Sequence, residues 1–207
     1  MSDSSVEFAS LLCSRLCHDL LSPVGAMNNG IELLADEQDP DMRERVIELL
    51  ADSARASADR LKFFRLAFGA GGGFGETLDA NEVKLAAQGL VRGNARIEFG
   101  WMVETPAIPK TAAKILLNLV MVAFDALVRG GRLDVGVEGG EVVVRAEGPR
   151  IVLDAEIREV LAAGQGPVTS RTSAVWLTRR MADDVGGNIS LADQEEGVLL
   201  LGASFPG

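Results

Sequence analysis

Apolar residues recur every three or four positions along the first part of the chain. Between Cys13 and Leu34, seven apolar side chains follow one another at spacings of 4, 3, 4, 3, 4 and 3 residues. This repeat places one apolar stripe along a helix, which we expect to span residues 5–36. The seven positions are Cys13, Cys17, Leu20, Val24, Met27, Ile31 and Leu34.

A second apolar stripe follows a short turn. Asp39 can cap a helix that has Pro40 at its first position, and apolar or small residues then recur from Val46 to Phe68. Two long helices joined by a short turn form an antiparallel hairpin. One hairpin cannot bury both stripes, so we predict a symmetric homodimer in which two hairpins form a four-helix bundle.

A glycine-rich segment at residues 69–75 separates this hairpin from the rest of the chain. It holds five glycines in seven residues and has no neighbouring lysine of a phosphate loop, so it is typical of a hinge and not of a nucleotide-binding loop. The predicted domains are therefore a helical domain at 1–68, the linker, and a second domain at 76–207.

The second domain mixes helical and extended patterns. Apolar alternation and turn glycines predict two strand hairpins and one further strand, with helices between them. An antiparallel sheet covered on one face by helices is an α/β sandwich, and the whole chain is then of the α+β class. Helices are expected near 79–90, 109–128, 153–163 and 173–185, and strands near 95–103, 133–138, 142–146, 188–192 and 198–205.

Composition and charge narrow the range of functions. The net charge of −10 argues against nucleic acid as a partner, because few cations are available to neutralise phosphates. No apolar run approaches the length of a membrane span, and no basic segment opens the chain, so we expect a soluble, cytoplasmic protein without a signal peptide. Hydrophobic residues make up 47% of the chain, which is enough for a sizeable core.

The cysteines and the single histidine lie close together in the first helix. Cys13 and Cys17 are one turn apart on the apolar stripe, so we expect reduced thiols in the core. A metal site formed by both cysteines and His18 is an alternative, but the chain has no further Cys or His to complete a tetrahedron.

His18 has the sequence context of a phosphoryl acceptor. It follows Cys17 by one residue and is therefore rotated about 100° away from the stripe, toward solvent. Asp19 comes next, and Pro23 removes the backbone donor that the Asp19 carbonyl would otherwise use, so the helix should bend there. The alternative is an ordinary surface histidine beside a chance kink.

The run from Arg15 to Leu34 resembles the phospho-acceptor box of sensor histidine kinases, and it is most similar to the ChpT family of alphaproteobacterial histidine phosphotransferases. This resemblance implies that His18 accepts a phosphoryl group from a receiver-domain aspartate and passes it to response regulators. Asp19 is then expected to orient the imidazole and remove its proton.

The resemblance also implies the partners. They would be the receiver of a CckA-type hybrid kinase and regulators of the CtrA and CpdR types, docking on the helix face beside His18. Arg15, Lys62 and Arg65 could steady the phosphoryl group, although each could equally be a solvated charge. The expected partner-binding residues are Arg15, Leu21, Ser22, Gly25, Lys62 and Arg65.

The second domain resembles the ATP-binding domain of histidine kinases but departs from it at three nucleotide positions. Val122 stands where a metal-binding asparagine is expected, Ala146 where an adenine-binding aspartate is expected, and Thr172 begins the segment that replaces a Gly-x-Gly loop. We therefore expect no nucleotide or metal cofactor of the chain's own, with Mg²⁺ supplied by the receiver. An ATP-dependent kinase and a binding-only regulator of receivers remain as alternatives.

Overall fold

The structure is a computed structural model that describes residues 2–69 and 76–206. Except for Gly69, the predicted glycine-rich linker lies outside the described residues. No helix in the described part of the chain combines the length and the apolar character needed to span a membrane.

Two long helices form the predicted hairpin. Helix α1 covers Ser2–Asp36 and helix α2 covers Pro40–Ala67. The predicted cap is confirmed, since the Asp39 side chain accepts a hydrogen bond from the Met42 N–H and Pro40 opens α2. The helices approach closely at Gly30, where an added Cβ would lie 2.8 Å from a Leu50 methyl carbon.

The remaining elements alternate strands and helices, and most lie within a few residues of the predicted bounds. In chain order they are β1 (Thr77–Asp79), α3 (Ala80–Arg92), β2 (Ile97–Met102), β3 (Ala107–Pro109), α4 (Lys110–Ala126), β4 (Gly131–Glu138), β5 (Glu141–Glu147), α5 (Ala155–Ala163), α6 (Ser173–Asp184), β6 (Asn188–Glu195) and β7 (Val198–Ser204).

The main sheet has the strand order β2-β4-β5-β7-β6 and is mixed. The prediction of an antiparallel sheet is correct for β4 to β7 but wrong for β2, which pairs in parallel with β4. The chain between these two strands passes through α4, and a parallel pair requires such a crossover. A short antiparallel ribbon of β1 and β3 was not predicted, because three-residue strands carry too little periodicity.

Helix α4 lies at the centre of the core. It packs on strands β5 and β7 and on helices α2 and α6. Phe63, Leu66 and Ala67 at the end of α2 belong to the same buried cluster as α4, and Arg180 of α6 lies 5.0 Å from the ring centroid of Phe8 in α1. The hairpin is therefore fixed against the second domain through both of its helices.

The apolar stripe of α1 is partly packed against the core and partly exposed to solvent. Leu20 is partly buried against the core cluster, whereas Val24 and Ile31 are 47% and 61% exposed in the single chain. Cys13 and Cys17 are also exposed, so the expectation of core thiols is wrong within one chain. The reason is that α2 covers only one flank of a stripe that is wider than a single helix contact.

Candidate functional site

His18 projects from α1 into solvent. Its side chain is 84% exposed, whereas the side chain of the next residue, Asp19, is only 20% exposed. The prediction that His18 lies off the buried side of the helix is confirmed. An imidazole placed in this way is open to the approach of a second macromolecule.

Asp19 is the hydrogen-bond partner of His18. The His18 Nδ1 atom lies 3.2 Å from Asp19 Oδ1. When Nδ1 carries the ring proton, it donates to this carboxylate, and the lone pair of Nε2 is left facing outward. The structure therefore brings together the two residues that the sequence assigned to the phosphoryl-transfer step.

Arg15 lies on the inner side of α1 and engages two carboxylates. Its Nε donates to Asp19 Oδ2 at 2.8 Å, and one terminal nitrogen donates to Asp125 Oδ2 of α4 at 2.9 Å. The side chain is only 16% exposed, so it does not share the open face of His18. Sequence reasoning missed Asp125, because only the tertiary fold brings α4 to this point.

The pKa values of Arg15 and Asp125 are shifted by burial and by neighbouring charges. Burial lowers the pKa of Arg15, but Asp125 and Asp19 more than compensate, so its pKa is raised and it remains a cation. Burial raises the pKa of Asp125, and the Arg15 guanidinium offsets this only in part. The ion pair is therefore a partly desolvated contact between α1 and the second domain.

The backbone carbonyl of Asp19 has an unusual donor. Pro23 has no N–H to offer it, and the Arg60 guanidinium of α2 donates to this oxygen instead. Sequence reasoning identified the unpaired carbonyl, but it did not identify Arg60 as its donor. Asp19 is thus held at its side chain by Arg15 and at its carbonyl by Arg60.

Leu21, Ser22 and Gly25 are exposed on the same side of α1 as His18. Leu21 is 67% exposed, and nothing lies within 4 Å of a Cβ added at Gly25. We call the surface formed by these three residues and His18 the His18 face. It offers one large apolar side chain beside small and polar ones, as transient protein interfaces commonly do.

The two cations expected from α2 are engaged elsewhere. Lys62 lies 3.9 Å from Asp59, and Arg65 lies 3.1 Å from Glu82. Both side chains are well exposed, and surface pairs of this kind contribute at most about 1 kcal/mol. His18 forms its hydrogen bond with Asp19 and not with either of these cations.

The three substituted nucleotide positions are all buried. Val122 on α4 and Ala146 on β5 present only hydrocarbon, and the Thr172 hydroxyl donates to the Pro167 carbonyl at 2.7 Å. Asn118, one turn before Val122, donates from its side chain to the Lys114 carbonyl. Within the described residues, no group of three or more metal-binding side chains comes together.

Comparisons with known proteins identify phosphotransferases among the relatives of this chain. Residues 80–197 match the family described as the histidine phosphotransferase C-terminal domain. The chain is 35% identical over 202 residues to the protein phosphotransferase ChpT of Brucella abortus (strain 2308), covering 95% of each sequence. A solved bacterial phosphotransferase at 1.7 Å superposes with a TM-score of 0.83 and 32% identity, covering 96% of each chain.

Proposed function

The chain belongs to the histidine phosphotransferase family that includes ChpT and acts in phosphorelays, and from this we propose that His18 is the residue that carries the phosphoryl group. The observation that supports the assignment is the contrast between an 84% exposed imidazole and a 20% exposed aspartate bonded to it. A carrier must present its nucleophile to another protein while keeping the ring in one orientation.

In the proposed reaction, the lone pair of His18 Nε2 attacks the phosphorus of an aspartyl phosphate on a receiver domain. The bond between phosphorus and the aspartate oxygen breaks, and the receiver's aspartate leaves as a carboxylate. Asp19 holds the proton on Nδ1 and stabilises the positive charge that develops on the ring. Phosphate passes on to a response regulator by the reverse of these steps.

We expect the receiver to bring the Mg²⁺ that neutralises the phosphoryl oxygens, as its own carboxylates bind this hard cation. The contribution of this chain is then the position of the imidazole and its hydrogen-bond partner. The receivers would dock on the His18 face, where Leu21 supplies the apolar contact. By family resemblance, the donor would be a CckA-type hybrid kinase and the acceptors would be CtrA- and CpdR-type regulators.

We also propose that two copies of the chain form a homodimer through the hairpins. Both helices of the hairpin expose apolar side chains, which include Val24 and Ile31 on α1 and Ile47 and Leu61, each 55% exposed, on α2. Pairing two such hairpins would bury these side chains and both cysteines in a four-helix bundle. His18 would remain outside, since its direction from the α1 axis differs from that of Val24 by about 120°.

The alternatives have less support than the carrier. An ATP-dependent kinase needs polar groups at Val122 and Ala146, and these positions are apolar and buried. A binding-only regulator would not need an imidazole bonded to a fixed carboxylate. The matching family and the two relatives described above are phosphotransferases, which favours neither alternative.

Transfer of label from a phosphorylated receiver tests the proposal. The wild-type chain should take radiolabelled phosphate from the receiver, and His18→Ala should take none while keeping the wild-type circular dichroism spectrum. Asn29→Ala, another exposed change on α1, is the matched control and should accept label normally. Labelling of a folded His18→Ala variant would contradict the proposal, and labelling of the wild type by ATP alone would support the kinase alternative.

A further inference from the structure

The Arg15–Asp125 contact links the acceptor site to the second domain. Arg15 uses separate nitrogens for its two partners, Nε for Asp19 at 2.8 Å and a terminal nitrogen for Asp125 at 2.9 Å. His18, Asp19, Arg15 and Asp125 thus form a continuous hydrogen-bonded chain from solvent to α4. Only the first two belong to the reaction described above.

We propose that Asp125 is a positioning residue for phosphoryl transfer, acting through Arg15 on the carboxylate of Asp19. This inference rests on the proposed function of His18. Through Asp125, α4 would contribute to the reaction without binding a nucleotide or a metal. Asp125 itself does not touch the imidazole or the phosphoryl group.

The geometry shows what Asp125 prevents. A guanidinium is a planar fork that binds a single carboxylate through two parallel hydrogen bonds when it is free to do so. With Asp125 holding the terminal nitrogen, Arg15 occupies only Oδ2 of Asp19, and Oδ1 remains available to His18. Without Asp125, the terminal nitrogen can turn to Oδ1 and compete with the imidazole for it.

The effect of that competition should be visible on the histidine ring itself. An imidazole that donates to Oδ1 carries its proton on Nδ1 and keeps Nε2 as the nucleophile. When Arg15 takes both carboxylate oxygens, the Nδ1–H form loses its acceptor and the tautomers redistribute. The chain contains a single histidine, so nitrogen NMR of the imidazole observes His18 alone.

The test compares Asp125→Ala, Asp125→Glu and the control Asp183→Ala. Asp183 is a second aspartate that pairs with an arginine, Arg179 at 3.1 Å. Its side chain is 53% exposed, close to the 47% of Asp125. The single-turnover rate of transfer from a phosphorylated receiver is measured over a range of receiver concentrations. The tautomer of His18 is measured at a pH at which the ring is neutral.

For Asp125→Ala, we expect the rate at saturating receiver to fall about tenfold, because fewer His18 rings then hold the proton on Nδ1 and leave Nε2 free to attack. The receiver concentration at half-saturation should not change, and the Nδ1–H fraction should fall. Asp125→Glu should restore both quantities in large part, and Asp183→Ala should behave as wild type. If Asp125→Ala folds poorly, Asp125→Asn, which keeps the size of the side chain but loses the charge that holds the guanidinium, should show the same loss.

Two results would overturn the inference. One is a folded Asp125→Ala variant with the wild-type rate and tautomer. The other is a variant in which only the half-saturating concentration rises, which would assign Asp125 to receiver docking. Either result leaves His18 as the acceptor, whereas a wild-type protein that takes no label would contradict the proposed function itself.

Discussion

Arg60 and Pro23 should be energetically coupled through the Asp19 carbonyl. In the wild-type chain, Pro23 leaves this carbonyl without an intrahelical donor, and Arg60 supplies one from α2. Removing a charged donor from a partly buried acceptor costs about 1.5–3 kcal/mol. We therefore expect Arg60→Ala to lower the free energy of unfolding by that amount.

The same substitution should cost much less in a Pro23→Ala background. The alanine introduced there has a backbone N–H that can reach the carbonyl four residues earlier, so the oxygen stays paired when Arg60 is removed. The expected cost then falls to about 0.5 kcal/mol, typical of a surface position. The difference between the two backgrounds predicts a coupling energy of about 1–2.5 kcal/mol.

A double-mutant cycle measured by urea unfolding and circular dichroism gives this coupling. All four proteins must be compared at one concentration, because the proposed dimerisation would add to the apparent stability. Arg55→Ala is the matched control on α2, since Arg55 is exposed and, among the described residues, pairs with exposed Asp52 at 3.3 Å. Costs of Arg60→Ala that agree within about 0.5 kcal/mol in the two backgrounds would refute the reasoning.

Three further predictions concern the dimer, the nucleotide and a helix cap. Ile31→Arg should dissociate the proposed dimer, as measured by light scattering, whereas Leu33→Arg, a similarly exposed change on the other side of α1, should not. Equal effects of the two substitutions would contradict the proposed interface. Mg-ATP should not raise the melting temperature, whereas a ligand that binds at 100 times its dissociation constant would add about 2.7 kcal/mol of stability; a saturable shift would contradict the expected absence of nucleotide binding. Asp154→Ala should cost about 1 kcal/mol, because its carboxylate accepts from the Glu156 and Ile157 N–H groups at the start of α5. The hydrogen bond from Arg171 holds the pKa of Asp154 below its usual range, so this stability difference should be full above about pH 4 and shrink as the pH falls through the lowered pKa; a cost independent of pH would contradict the assignment.

Local patterns in the sequence predicted the parts of the fold that depend on local physics. The hairpin, the Asp39 cap and the two strand hairpins follow from periodicity, capping chemistry and turn glycines. The parallel pairing of β2 with β4 could not be predicted from alternation, because strand alternation is the same in both directions. The exposure of Cys17 was also missed, since a stripe alone does not show which flank a neighbouring helix covers.

The candidate site likewise contains residues that local sequence predicts and residues that it does not. His18 and Asp19 are adjacent in sequence, so helix geometry alone places the imidazole outside and the aspartate beside it. Arg60 and Asp125 reach the site from 41 and 106 residues away from Asp19, respectively, and no local pattern connects them to it. The sequence thus predicts the reacting pair, whereas the residues that hold Asp19 emerge only from the folded chain.

The chemical stability of the bound phosphate tests the central claim most directly. After incubation with a phosphorylated receiver, the isolated chain should carry label that is released by acid and retained in alkali, as for a phosphoryl group on nitrogen. Because His18 is the only histidine, any phosphohistidine recovered from an alkaline digest must come from that residue. Label that is instead lost in alkali, as from an aspartyl phosphate, or the absence of any label, would contradict the assignment of His18 as the phosphoryl carrier.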